Sequence, residues 1–207
     1  MRMTVSATRM ELLRLRRRLL VARRGHKLLK DKQEQLMRKI LELISTIKGE
    51  RQRLAHELGS IQQRLRYAEA SYQPENFVQA LAVSGRKIDV DIGIRNIVNI
   101  NVPTVKHIEF TGSLLNYDFF TTSAELDTSL FALDELLPSL LNMAIKEKTL
   151  ELLAEELERT RRRVNALEYV LIPSIEETIK YITMKLSESE RSGLTRLMRL
   201  KEIIRGQ

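Results

Sequence analysis

The sequence predicts a mainly α protein: a long antiparallel two-helix coiled coil made from the N- and C-terminal segments, with a short β-hairpin-like middle segment. Three observations predict it. Apolar residues recur at alternating three- and four-residue steps through both outer parts of the chain, the heptad signature. A middle tract changes to period two with β-branched residues, the pattern of strands. The composition is 30% charged and only 5% aromatic, with no Trp, which suits long helices better than a thick globular core. The expected boundaries are 1–73 for the first helix, 74–121 for the middle segment and 122–207 for the second helix, together one structural unit.

The first helix opens at Thr8-Arg9-Met10-Glu11, a capping box in which the Thr hydroxyl and the Glu carboxylate satisfy each other's backbone N–H groups. Seam positions follow at Leu12, Leu15, Leu19, Ala22, His26, Leu29, Gln33, Leu36, Ile40, Leu43, Ile47, Glu50 and Leu54. The set continues at Leu58, Ile61, Leu65, Ala68 and Tyr72. Two four-residue steps in succession, Glu50 to Leu54 to Leu58, read as a stutter that locally unwinds a left-handed supercoil. Pro74 favours a stop. A continuous helix over this tract would be about 95 Å long at 1.5 Å per residue.

The middle tract alternates Ile88, Val90, Ile92 and Ile94, then Val98, Ile100 and Val102. Two or three short strands fit, with a further piece over Val105–Phe110. Gly93 and the pair Arg95-Asn96 are candidate bends, and Gly112–Thr121 reads as loop. A second capping box, Thr122-Ser123-Ala124-Glu125, opens the last helix. Its stripe starts with Leu126, Leu130, Leu133, Leu137, Leu140 and Ala144. It continues through Leu157, Val164, Leu167, Leu171, Ile175, Ile179, Ile182 and Leu186, and closes with Leu197, Leu200 and Ile204. Pro138 and Pro173 interrupt it, and kinks rather than ends are expected because the stripe resumes after each. Helices of this length need their apolar face buried. Folding back on each other would bring both termini to one end of a rod and the strands toward the other.

Catalytic patterns are missing. With no cysteine there is no disulfide framework and no Cys-based metal or redox site. His26, His56 and His107 are far apart and form no His-x-x-x-His pair. His26 falls at a seam position and reads as packing. No phosphate-binding loop is present. The acidic pairs Glu155-Glu156 and Glu176-Glu177 sit within helical repeats and read as solvated faces or partner contacts. No metal, cofactor or catalytic residue is therefore assigned. No run of 18 apolar residues exists, so no direct membrane-spanning helix is expected.

Charge is uneven. Net charge is +8, and residues 1–70 alone carry 18 Lys/Arg against 7 Asp/Glu. Arg14, Arg16, Arg17, Arg18, Arg23 and Arg24 run through the leucine seam, and Arg161, Arg162 and Arg163 form a second cluster. Three readings apply to this basic surplus. It can be a solvated face whose stems cover the apolar edge. It can bind nucleic acid, but basic zippers separate the groove-reading region from the seam, and here the two coincide, so no nucleic-acid partner is assigned. It can also meet an acidic protein surface surrounding the helix pair. A coiled-coil adaptor or tether remains the alternative function.

Two motifs carry a resemblance: TRMELLRLRRRLLVARRGHKLLKDKQEQLMRK over 8–39, and ERTRRRVNALEYVLIPSIEETIKYI over 158–182, followed by ESERSGLTRLMRLK over 188–201. With the helix, β, helix order, the chain resembles the D subunits of the V-type and A-type rotary ATPases, most closely those of the bacterial V-type enzymes. The resemblance implies a central rotor shaft that couples ATP hydrolysis or synthesis in a catalytic ring to rotation of a membrane rotor. It implies as partners the catalytic and regulatory subunits of the ring, the small F subunit of the central stalk, and a socket subunit of the membrane rotor. It also implies a cytoplasmic location peripheral to the membrane, with nucleotide bound in the ring rather than in the shaft. On that basis the nine arginines named above are expected at partner contacts.

Overall fold

The structure is a computed structural model, which describes residues 5–70, 77, 85–114 and 124–205. Helix α1 spans Arg9–Ala70, strand β1 Lys87–Ile97, strand β2 Ile100–Thr111, helix α2 Ala124–Asn165 and helix α3 Ile172–Arg205, with one π-helical turn, Ala166–Leu171, joining α2 to α3. The chain forms two compact units, one from Met1–Gln35 with Leu157–Gln207, the other from Leu36–Glu156.

Helix α1 starts where its cap dictates. The Glu11 N–H donates to Thr8 Oγ1 at 3.3 Å, and the Leu12 N–H donates to the Thr8 carbonyl at 3.1 Å. Every predicted seam position from Leu12 to Ala68 is buried or half-buried. Tyr72 and Pro74, and the second capping box at Thr122-Ser123, lie outside the described residues.

In the first unit, Leu15, Ile175 and Ile182 form a buried cluster, with Leu12, Leu19, Leu171, Ile179 and Leu186 packed around it. Each such side chain removed from water contributes about 1.5–3 kcal/mol. Flanking ion pairs fix the direction. Arg9 meets Glu190 at 2.5 Å and Arg23 meets Glu176 at 2.6 Å, so an advance along α1 is matched by a retreat along α3. The second unit repeats the arrangement. Lys146 Nζ donates to both Glu50 carboxylate oxygens at 2.5 and 2.7 Å, while Ala68, Phe77 and Leu126 form a buried cluster. Both units thus hold antiparallel helix pairs, as folding back through the middle segment predicts.

The C-terminal stripe needs correction in two places. Leu133 and Ala144 are exposed, and Leu136 and Met143 are buried instead. Leucines stand at 133, 136, 137, 140 and 141, so the apolar band is wider than one seam and letters alone do not fix its centre. Leu197, Leu200 and Ile204 do not close the seam; they are 63%, 54% and 74% exposed. In the register that pairs Arg9 with Glu190, these positions run past the first residue of α1. The buried face also carries Ser129, Thr149, Thr160, Ser174 and Thr178. Three of these hydroxyls donate to backbone carbonyls three or four residues earlier, at 2.6–2.9 Å.

Neither interior proline ends helical structure. Pro138 sits within α2. Before Pro173 the backbone widens, and the Ile172 N–H donates to the Leu167 carbonyl five residues back. Proline has no N–H for the carbonyl four residues earlier and crowds it, so a wider turn at this place accommodates it.

The middle segment is one antiparallel hairpin. The turn falls at Val98-Asn99, with φ of 51° and 63°, and not at Gly93 or Arg95-Asn96. Val-Asn is a poor signal for a turn that needs positive φ twice. The side chain of Asn96 makes it: its Oδ1 accepts the Asn99 N–H at 3.1 Å, and its Nδ2 donates to Asn101 Oδ1 at 3.1 Å. Strand β2 runs straight through Pro103, opposite Ile94. Counted from the closing pair Ile97–Ile100, that is a non-hydrogen-bonded pair, where a missing N–H costs the ladder nothing.

Candidate functional site

The candidate site is the outer surface of the first unit. Arg14, Arg16, Arg17, Arg18, Arg23 and Arg24 are all exposed on α1. Leu15 and Leu19 hold the helix in the seam, and consecutive residues turn by about 100°, so Arg16, Arg17 and Arg18 wrap the remaining arc. Arg23 is committed to Glu176 at 2.6 Å, and Arg14 has a long contact with Glu11 at 3.7 Å. Among the described residues, Arg16, Arg17, Arg18 and Arg24 have no ion-pair partner.

The sequence reading missed the apolar part of this face. Met10, Leu13, Arg17, Leu20 and Arg24 follow steps of three, four, three and four, a second heptad-like stripe set opposite the buried seam. Met10, Leu13 and Leu20 are 83%, 57% and 50% exposed. At the end of α3, Leu194, Leu197, Met198, Leu200, Ile203 and Ile204 are also exposed, interleaved with Arg191, Arg196, Arg199 and Lys201. Isolated exposed leucines are ordinary, but runs of them rimmed by charge mark contact surfaces. The signal was present in the sequence: both stripes keep the three–four spacing, and only burial tells them apart.

Arg161, Arg162 and Arg163 are exposed on α2 and do not join the first cluster. His26 pairs with Glu168, so the three arginines lie farther along than His26, away from Arg14–Arg18. Arg162 donates to Glu158 one helical turn away, and that hydrogen bond and charge hold the Glu158 carboxyl below its ordinary range and the guanidinium above its own. A hydrogen bond and the charge of Glu151, three residues on, likewise raise Lys148.

His26 occupies its seam position half-buried, with Nε2 3.3 Å from Glu168 Oε2. Among the described residues, no group of His, Asp and Glu is arranged to hold a metal ion. None of their helices is long and apolar enough to cross a membrane.

These features define a class: α-helical proteins of antiparallel helix pairs with an inserted β-hairpin, whose outer face is basic and apolar by turns. Residues 11–202 match the family described as the D subunit of ATP synthase. The chain is 45% identical over 205 residues to the V-type ATP synthase D subunit of Acetivibrio thermocellus, covering 98% of this chain and 92% of the relative. It is 45% identical to that of Fusobacterium nucleatum, covering 98% and 97%, and 46% identical to that of Clostridium botulinum, covering 99% and 96%. The chain belongs to the ATP synthase D-subunit family.

Proposed function

We propose that this chain is the central rotor shaft of a V-type ion-translocating ATPase, coupling ATP hydrolysis or synthesis in a surrounding ring to rotation of a membrane rotor. Full-length similarity to V-type ATP synthase D subunits carries the reading. The chain performs no chemistry itself in this role. Its partners are the catalytic and regulatory subunits of the ring, the F subunit of the central stalk and the socket subunit of the membrane rotor. It lies on the cytoplasmic side as a peripheral component.

The surface suits the task. The apolar seam binds the two helical segments together, so that torque applied to one is carried by both. The outer face must change neighbours as it turns. Exposed charged contacts contribute on the order of 0–1 kcal/mol each, so they guide the shaft without holding it at one stop. In this reading Arg14, Arg16, Arg17, Arg18, Arg23 and Arg24 face the ring. Arg161, Arg162 and Arg163 touch the ring or the F subunit. One asymmetric shaft then biases otherwise equivalent ring sites differently, a coupling free energy between distant sites.

The test is charge reversal, Arg16→Glu with Arg17→Glu and Arg18→Glu, in the assembled complex. We expect ions moved per ATP hydrolysed to fall several-fold while the isolated chain melts as before, since all three side chains are exposed. Unchanged hydrolysis and transport would contradict the assignment of this face.

A further inference from the structure

The base of the hairpin is held by one arginine making four contacts. Arg86, immediately before β1, donates from Nε to Asp134 Oδ1 at 3.1 Å and from Nη2 to Asp134 Oδ2 at 2.5 Å. Its Nη1 donates to the Gly112 carbonyl at 3.4 Å, and its guanidinium carbon lies 5.0 Å from the centre of the Phe110 ring. One side chain therefore ties together the start of β1, the end of β2, the residue after it, and α2. Planar two-point pairing of this kind adds direction as well as strength, and the ring contact is within the range of a cation–π interaction. Both members of the pair are about four-fifths buried, with side-chain exposures of 23% and 20%. Among the described residues, most other ion pairs are far more exposed.

The strands close tightly at the same point. Gly112 has φ of +89°, and a Cβ there would lie 2.1 Å from the Gly85 carbonyl oxygen, so the chain entering and leaving the hairpin passes where only glycine fits. Above this root, β1 carries exposed Ile88, Ile92 and Ile94. Their cross-strand partners are Phe110, Val105 and Pro103, so one face of the ribbon is apolar along its length. Two-stranded hairpins are marginal alone in water, and an arm that swings on a loose root cannot present such a face in a fixed direction.

We propose that Arg86 and Asp134 are positioning residues: a two-pronged lock that fixes the hairpin in one pose on α2, so that hairpin and α2 move as one rigid arm. The lock is a property of this chain; its consequence for activity in an assembled complex rests on the rotor reading above. Lysine cannot replace the arginine fully, because an ammonium reaches only one point of the carboxylate at a time.

The lock is tested in the full chain by hydrogen exchange on Arg86→Gln, Arg86→Lys, Asp134→Asn and the reversed pair Arg86→Asp with Asp134→Arg. Losing charge-assisted bonds of this kind should speed exchange of the β1 and β2 amides by about tenfold or more in Arg86→Gln and Asp134→Asn. Amides around Leu15 and Ile182 should stay as they were. Arg86→Lys should fall between, and the reversed pair should recover part of the protection. In the assembled complex, Arg86→Gln should lower ATP hydrolysis or transport with no loss in melting temperature of the helical body. Unchanged hairpin exchange in all four variants overturns the lock. Faster exchange with unchanged hydrolysis and transport overturns the positioning role. A failure of the rotor reading looks different: the unaltered chain would then assemble with no ATPase ring.

Discussion

At the residue scale, the molecule is set by which side chains the seam accepts. His26 shows the tolerance: an imidazole stands in the seam because Glu168 is there to meet it. Thr160 shows the opposite. It is 1% exposed, and among the described residues its Oγ1 has no hydrogen-bond partner. A buried hydroxyl without a partner costs roughly 1–3 kcal/mol, whereas an apolar group of the same shape does not carry that cost. Thr160→Val should therefore stabilise the chain by about 1 kcal/mol in a denaturant titration. A loss of stability would mean that this hydroxyl is satisfied in solution.

Single residues also decided what could be read in advance. The α1 seam was legible position by position, because the positions from Leu12 to Ala68 keep three- and four-residue steps along the whole helix. The hairpin turn was not, because Val98 has the wrong chemistry for positive φ and the deciding bonds come from Asn96, two residues upstream.

At the element scale, the π turn shows how a long helix keeps one face buried across a proline. The seam steps from Leu167 to Leu171 to Ile175 are both four, and that place is the π turn. A π turn amounts to one extra residue in an α-helix, and it allows Ile175 and Ile182 to stay in the buried cluster. Deleting exposed Tyr169 together with Pro173→Ala should restore a regular helix with those isoleucines still in phase. Its melting temperature, followed by circular dichroism, should lie close to the parent's. Deleting Lys180 instead turns Ile182 out of the seam by about 100° and should lower the melting temperature markedly. Equal losses in the two deletions would refute this account of the turn. Helix type was thus readable from spacing, and pairing direction from the connector that lets the two tracts fold back. The centre of the α2 stripe was not, because its leucines form a broad band whose buried line is chosen by packing. The exposed stripe through Met10, Leu13 and Leu20 is indistinct for a related reason, since a heptad says that residues share a face and not which face is covered.

At the scale of the whole molecule, the same sequence must satisfy two demands. One set of leucines binds the helices to each other. A second set, alternating with arginine, is left in solvent. The absence of cysteine makes the central claim directly measurable, because a single introduced thiol can be labelled in this chain before the complex is assembled. The complex is fixed to a surface through its ring, and a bead is attached to Arg95→Cys, an exposed hairpin position. On addition of ATP, the account predicts that the bead turns in one direction, with repeated pauses and at a rate that follows ATP concentration. A bead that stays fixed while the same complexes hydrolyse ATP would contradict it.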